Sequence, residues 1–590
     1  MQPNFSNDVR PEVRRIMKMR SPEVLIIGGG INGLATLRDL ALQGVTAVLV
    51  DRGDFCSGAS AASSHMIHGG IRYLENGEFR LVHESVVERN DLLVTAPHCV
   101  SPLLTTVPLF SLWSGIIQAP LRMLTHKKSS NTERGAALIA VGLLIYESFS
   151  RSAAKRMPRM HFSGRKKARA QLPSLHPGVK YVASYFDASS PDPERLALDV
   201  LDDALQSSTV AAVNYVEAVR SEGENVILRD GPSGLTFALR PQIVVNMTGP
   251  WVDVTNTSLG VPSQFMGGTK GSHIVVDHPG LEKELAGREL FFENSDGRIV
   301  LIYPLKGKLM IGTTDIPHDP STPAVCTIEE IDYFFDLVKH VLPGVELSKS
   351  DIVFHFSGVR PLPRTDATQP GFISRDYRIE YQRLGQGEGP EMLSVVGGKW
   401  TTFRALAETV SGKVCQSLGR TRTVSTRSLP IGGGVGFPAT KEEQLRWCSQ
   451  FGGPLSEGRK RELLKRYGTL ASRLIEATVE EGECALATTP DYSVQEVEYL
   501  VTQSQAVHLV DLMLRRTSLA ISGRVTNEVL DEWAGVMGAV LSWSEARQAQ
   551  ERNDAARILS DTHGVAVAVA DQKPKGSAAT GRREKVSPAR

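Results

Sequence analysis

Apolar and polar positions alternate with two different periods near the start of the chain. Residues 24–27 (VLII) form a short unbroken apolar run, as a strand buried on both faces requires. Ile31, Leu34, Leu37, Leu40 and Ala41 then fall three and four apart, which is the spacing of one helix face. Residues 46–50 are a second buried-strand run, closed by Asp51. Gly28, Gly30 and Gly33 lie between the first run and the helix in GxGxxG spacing, and Asp51 follows Gly28 by 23 positions. The pattern predicts strand, glycine turn, helix and strand, organised as a parallel β-α-β unit.

The same reading extends along the chain. It predicts a helix from Phe79, a strand and edge segment over 101–109, a loop over 185–192 that holds Asp187, and a helix over 194–206. Residues 210–219, 225–228 and 235–239 read as a small meander. Residues 242–246 are an apolar strand ending in Thr248-Gly249. From 267 the chain is β-rich, with strands at 274–276, 352–359, 371–375 and 393–396, a hairpin from 299–303 and 308–311, and an amphipathic helix over 327–342. Gly397-Gly398 then opens a helix from Thr401 to about 418. Residues 429–437 are a glycine-rich linker, and from 441 to 562 the period is helical throughout. The conspicuous piece of that last region is Asp511-Leu512-Met513-Leu514-Arg515-Arg516-Thr517. No internal repeat is present. The fold class expected is α/β plus α: a Rossmann-like dinucleotide-binding domain, a β-rich second domain and a helical C-terminal domain.

Composition narrows the class of protein. A chain of 590 residues is too long for one core and implies two to four structural units. A net charge of +1 argues against nucleic acid as a bulk electrostatic partner. The six cysteines are scattered with no CxxC pair, which fits a reducing compartment and argues against a disulfide framework or a zinc site; no metal-ligand cluster is found. The longest apolar run, 136–146, is shorter than the ~18 residues of a spanning helix. Residues 151–180 hold nine Lys or Arg and no Asp or Glu. Beside the apolar run, that stretch reads either as contact with an anionic membrane surface or as a core helix with a solvated basic face. The first twenty residues are basic without an apolar core, and read as a flexible lead-in.

The glycine turn carries chemistry. Gly28 permits a tight turn, Gly30 the approach of a phosphate, and Gly33 close packing of helix on strand. The helix N-terminus offers N–H groups to a pyrophosphate, and Asp51 can accept ribose hydroxyls. The small-residue stretch 57–64 (SGASAASS) suits a loop lining such a ligand. Arg72, Arg360, Arg375 and Lys399 stand near glycines or strand ends, where cations can meet an anionic group. His273, at a strand start, is the natural base titrating near neutral pH. Arg360 or Lys399 could steady a developing negative charge. The residues alone leave open whether the dinucleotide is a dissociable hydride carrier or a resident flavin.

The motif set resembles the FAD-dependent glycerol-3-phosphate dehydrogenases, within the flavin amine-oxidase-like (glutathione-reductase-type) superfamily. The resemblance runs from Val24 to about Thr402, more weakly to Arg516. It rests on Gly28–Gly33, residues 67–75 (IHGGIRYLE), 246–251 (NMTGPW), 270–276 (KGSHIVV), 311–315 (IGTTD), 357–361 (SGVRP) and 397–402 (GGKWTT). It implies oxidation of sn-glycerol 3-phosphate to dihydroxyacetone phosphate, with hydride passing to a non-covalent FAD and electrons onward to a membrane quinone. A relative acting on another polyol phosphate such as erythritol phosphate, or using oxygen, is the alternative. The FAD site implied comprises Gly28, Gly30, Asn32, Gly33, Asp51, Arg52, Ser60, Ser63, Ser64, Gly69, Gly70, Thr248, Gly249, Gly312, Thr314, Gly398, Lys399, Thr401 and Thr402. The substrate site comprises Arg72, Tyr73, His273, Arg360, Arg375 and Lys399, of which His273, Arg360 and Lys399 are catalytic. The implied FAD-binding domain is discontinuous (22–110, 181–266 and 352–420). A substrate or cap domain takes 111–180 and 267–351, a helical domain 430–562, with 1–21 and 563–590 as flexible ends. Expected partners are a polyol phosphate, a quinone, an anionic membrane on the cytoplasmic face of the inner membrane and a second copy in a homodimer. His65, Met247 and Trp400 depart from the family pattern.

Overall fold

The computed structural model describes residues 9–74, 77–112, 136–149, 157–293, 299–364 and 376–568. A six-stranded sheet is built around Val24–Ile27. In spatial order it runs Arg378–Arg383, Glu391–Val396, Ile243–Asn246, Val24–Ile27, Ala47–Val50 and Val210–Val213. All neighbours are parallel except the outermost pair, Arg378–Arg383 with Glu391–Val396. Alternate residues serve opposite faces, as strand geometry dictates. Val24 and Ile26 face the helices Ile31–Leu42, Pro193–Leu205 and Phe403–Ser417. Leu25 and Ile27 face the opposite core, which holds Val13 and Ile16. Both faces are covered, which is why the strand runs are apolar throughout.

The far face of this sheet corrects two expectations. Pro11–Met19 is a helix with Val13 and Ile16 fully buried, so residues 9–21 are not a flexible lead-in. Their apolar residues lie three apart and seat on the sheet, while Arg10 donates to Asn214 and Asp230. The expected meander divides at Asn214-Tyr215. Val210–Val213 is the edge of the parallel sheet, and only Val216–Glu222, Asn225–Asp230 and Thr236–Leu239 form the antiparallel three-stranded piece.

A ten-stranded mixed sheet makes the second unit. Its long central ladder pairs Met266–Val276 with both Ile352–Pro363 and Lys308–Gly312. The expected hairpin is present as Ile299–Leu305 and Lys308–Gly312. Ser101–Leu109, expected as an edge, is interior, between Glu289–Glu293 and Tyr181–Ser189. Tyr181–Ser189 is itself a strand where a loop was expected over 185–192. These strands and Ile352–Pro363 lie outside the six-stranded sheet, so the segments 22–110, 181–266 and 352–420 each contribute to both sheets. Strand pairing across hundreds of residues leaves no local trace, and the pattern of a strand does not say which sheet it joins.

The C-terminal helices, from Lys441–Ser449 to Glu545–His563, pack on one face of the ten-stranded sheet. Trp533, Leu512 and Met513 share a core there with Val275, Tyr303 and Phe356. Helix Ile328–Val341 covers the other face, against Ile274 and Val276. Val565 and Val567 remain buried in the helical core, so the chain stays packed to 568; the rest of the expected tail lies outside the described residues.

Candidate active site

A cleft of ≈ 490 Å³ opens at the carboxyl ends of the parallel strands. The chain leaves Val24–Ile27 for strands on one side, Ala47–Val50 and Val210–Val213, and returns on the other through Ile243–Asn246. Ligands of open α/β sheets bind at such a reversal. One wall comes from the strand ends of the six-stranded sheet: Ile27, Gly28, Asp51, Met247, Val395 and Gly397. The other comes from Gly271, His273 and residues 358–362 of the ten-stranded sheet.

The glycine turn has the shape the spacing implies. Gly28 adopts φ +115, and a Cβ there would stand 2.5 Å from the carbonyl oxygen of Met247. A Cβ on Gly33 would stand 1.9 Å from the Gly28 oxygen, so Gly33 brings helix and strand together without lining the cleft. Asp51 accepts from the N–H groups of Gly29 and Gly53 at 2.6 and 2.8 Å, and burial pushes its carboxyl up to about 6. Ser60 Oγ accepts from the Ile31 N–H. Arg52 lies over the Trp251 ring at 5.0 Å, and both line the cleft. Asn32 Oδ1 is buried without a protein hydrogen-bond partner beside Gly398, whose φ is +104. Thr248, Gly249, Ser63, Gly398 and Thr401 also line the cleft. This donor set, with a glycine cradle, a ribose acid and a second glycine turn, fits an extended dinucleotide.

Past that cradle the cleft meets the second sheet. His273 Nε2 lies 2.9 Å from Ser64 Oγ, and its ring stacks on Phe356 at 4.8 Å. His273 Nδ1 has no protein partner. Burial, then the charge of Arg360, lowers the His273 imidazole to about 3. The expectation of a base titrating near neutrality is therefore corrected: in this structure the ring is neutral across the physiological range. Arg360 donates to Asp315 Oδ1, Thr313 Oγ1 and the Thr314 carbonyl at 2.8, 3.0 and 2.8 Å. Its guanidinium lies over Gly271, where a Cβ would stand 2.3 Å from Nη2. Lys399 Nζ donates to Ser85 at 2.9 Å and stands 4.6 Å from the Tyr73 ring centroid.

Besides Gly33, five expected cofactor residues stand behind the lining. Gly69 donates to Tyr146 and Asp187, and Gly70, at φ +75, leaves room for the Tyr73 ring. Gly312 makes room for the His273 ring, since a Cβ there would stand 2.1 Å from its Cδ2. Thr314 is buried and donates to Glu330. Thr402 is buried at the start of helix Phe403–Ser417. Their residue types carried the motif signal, and in this structure they shape or brace the site. The Arg72 side chain and Arg375 lie outside the described residues.

Ser85, Asp315 and Phe356 are the neighbours that sequence reasoning missed. Ser85 lies mid-helix and meets Lys399 across 314 residues, so no local pattern marks it. Among the described residues the one cluster with metal-ligand geometry is His98, Cys99 and Asp199, away from the cleft.

Residues 23–402 match the family model described as FAD dependent oxidoreductase, and 424–548 match the C-terminal domain of alpha-glycerophosphate oxidase. The chain is 36% identical over 528 residues to a glycerol-3-phosphate dehydrogenase of Synechocystis, covering 86% of this chain and 90% of that one. It is 30% identical over 520 residues to a D-erythritol 1-phosphate dehydrogenase of Brucella abortus, covering 85% and 95%. The fold matches the crystal structure of a Bacillus halodurans glycerol-3-phosphate dehydrogenase complexed with FAD, with TM-score 0.69 at 24% identity over 93% of this chain and 97% of that one. With a dinucleotide cradle, a second glycine turn and both domain models in register along its length, the chain belongs to the FAD-dependent oxidoreductases, in the glycerol-3-phosphate dehydrogenase family, and its cofactor is FAD.

Proposed function

We propose that this flavoenzyme oxidises sn-glycerol 3-phosphate to dihydroxyacetone phosphate and passes the electrons to a quinone. The observation that carries the reading is the convergence of His273, Arg360, Lys399 and Tyr73 on the cleft that also runs past Gly28 and Asp51. Relatives named as glycerol-3-phosphate dehydrogenases support the substrate. When bound, FAD supplies the hydride acceptor.

The chain's residues supply binding and proton transfer. Arg360 and Lys399 neutralise the phosphate, joined by Arg72 and Arg375. Arg360 keeps a planar fork for this task, aimed by Asp315 and Thr313. His273 accepts the proton of the secondary hydroxyl. Burial, then the Arg360 charge, keeps its ring neutral and able to accept, and a phosphate dianion beside Arg360 offsets the second of these causes. Tyr73 packs beneath Lys399 and fixes the height of that cation over the site.

No helix among the described residues is long and apolar enough to cross a membrane. Peripheral attachment on the cytoplasmic face of the inner membrane is proposed instead, through the apolar helix Ala136–Phe149. All six cysteines are free, which suits a reducing compartment. A second copy in a homodimer is the remaining proposed partner.

Anaerobic mixing with glycerol 3-phosphate tests the reaction. The expected result is loss of the oxidised flavin absorbance, with reoxidation by a soluble quinone analogue faster than by oxygen. D-erythritol 1-phosphate is run in parallel. Bleaching by that compound and not by glycerol 3-phosphate would overturn the substrate, and bleaching by neither would overturn the activity.

A further inference from the structure

The DLMLRRT segment of the helical domain is not part of the cleft lining, yet it reaches the loop that follows the second parallel strand. Leu512–Arg516 is a π-helical turn, a form concentrated at functional positions. It aims Arg515 and Arg516 at Asp54, three residues beyond Asp51. Arg516 forks onto Asp54, Nη1 to Oδ2 at 2.6 Å and Nη2 to Oδ1 at 2.8 Å, and Arg515 Nε donates to Oδ2. Asn214 Nδ2 gives Asp54 a fourth donor at 2.9 Å. Asp54 and Arg516 are buried, with side chains at 0% exposure, and Arg515 is largely covered at 9%.

The same segment holds a second piece of the cleft wall. Tyr215, at φ 58, donates its hydroxyl to Asp511 at 2.6 Å, and its ring packs edge-on against His508 at 4.7 Å. Asn214 donates to the Gln505 carbonyl, and Gln505 donates to the Ala212 carbonyl. Val216, Glu217 and Ala218, which line the cleft, follow directly. The two pieces are also tied to one another: the Tyr215 N–H donates to the Gly53 oxygen and the Val216 N–H to the Asp51 oxygen. The Cys56 N–H donates to the Gly29 oxygen, which carries the link into the glycine turn.

We infer that the helical domain fixes the 51–54 loop and the 214–216 turn through Asp54, Arg515, Arg516 and Asp511, and thereby sets how tightly FAD is retained. Arg515 and Arg516 are positioning residues, since they act on FAD through Asp54 and not by contact. A planar guanidinium suits the role, because its fork holds a buried carboxylate in one orientation and a lysine ammonium does not. The inference gives the helical domain a task in the cofactor site itself, separate from binding any partner.

The test measures FAD release from the holoprotein after dilution, followed by flavin fluorescence, with far-UV circular dichroism on each variant. Asp54→Asn and Arg516→Gln should release FAD at least tenfold faster than wild type at temperatures well below unfolding. Arg516→Lys, which keeps the charge and loses the fork, should fall between wild type and Arg516→Gln. Arg473→Ala is the control, as it removes an exposed contact between the helical domain and Asp202 on helix Pro193–Leu205 without reaching the loop, and it should release FAD at the wild-type rate. Release within twofold of wild type from Arg516→Gln with native dichroism overturns the inference. So does a lowered unfolding midpoint with unchanged release, which is what a purely structural link produces. If Asp54→Asn does not fold, the two Arg516 variants decide the matter.

Discussion

Oγ of Ser64 lies 2.9 Å from Nε2 of His273, and through this contact the loop that lines the cofactor cleft meets the strand that carries the proposed base. Ser64 ends the small-residue stretch beyond the second parallel strand, whereas His273 belongs to the ladder of the ten-stranded sheet. The contact therefore holds the ring by Nε2 and leaves Nδ1 as the nitrogen without a protein partner. His273→Asn should lower kcat by about 10²–10⁴, the range of a lost general base, with FAD still bound. Ser64→Ala should cost about tenfold or less, the worth of one hydrogen bond of ~1 kcal/mol. Stopped-flow flavin reduction separates the two from any effect on quinone turnover. Equal effects from both changes would show that the ring's position, not its basicity, is what counts.

Gly271 and Arg360 make a paired prediction. A methyl group at Gly271 would meet the far end of the Arg360 side chain, which can swing aside, so the protein should fold normally. The guanidinium would then leave Asp315, Thr313 and Thr314. Gly271→Ala should therefore imitate Arg360→Lys, raising KM for glycerol 3-phosphate by roughly ten- to a hundredfold, or about 1.4–2.8 kcal/mol. The flavin spectrum should stay native in both. An unchanged KM in Gly271→Ala would remove Arg360 from the phosphate site.

The contrast between these two sites shows what a sequence discloses. The Gly28 turn, Asp51 and the helix of Ile31 were legible because strand, turn and helix are contiguous, and each residue type is required by local backbone geometry. Gly312 and Gly70 were singled out by their motifs, and their missing side chains make room for His273 and Tyr73. A motif records that a glycine is needed and not which neighbour needs the space. Lys399 was legible by its glycine turn, whereas its partner Ser85 was not, because tertiary pairing brings together a turn and a helix more than 300 residues apart. The membership of Ser101–Leu109 in the second sheet was hidden for the same reason.

Glu289 should govern part of the protein's response to alkaline pH. The side chain is fully buried, with Thr105 donating to one oxygen, and burial raises its carboxyl to about 8. A folded pKa above the unfolded value means that the stabilising contribution is complete below about 4.5 and is lost as pH rises toward 8. Glu289→Gln keeps the shape and cannot ionise. The variant should match wild type near pH 4.5 and exceed it by ~2 kcal/mol or more above pH 8. Thermal unfolding followed by circular dichroism over that range checks the sign. Glu194, also raised to about 8 by burial, titrates in both proteins and cancels from the difference.

The membrane proposal can be divided by geometry. Helix Ala136–Phe149 is apolar on every side from Ala136 to Tyr146, and Val141 and Leu144 are 55% and 57% exposed. It packs with Ala183 and Tyr185 of strand Tyr181–Ser189, whereas the basic helix Arg165–Gln171 packs through Ala168 with Val182. Successive residues of a strand point to opposite faces, so the apolar and basic helices sit on opposite faces of that strand and need not act as one surface. Val141→Glu with Leu144→Glu should abolish binding to neutral and anionic vesicles alike, because inserting charge removes the apolar contact. Lys166→Glu with Lys167→Glu should weaken binding only to anionic vesicles and only at low salt, where charges at the surface are poorly screened. Vesicle co-sedimentation at two salt concentrations reads both. Retention of full binding by the Val141 and Leu144 variant would discard the helix as the attachment site, and loss confined to the lysine variant would assign attachment to the basic face alone.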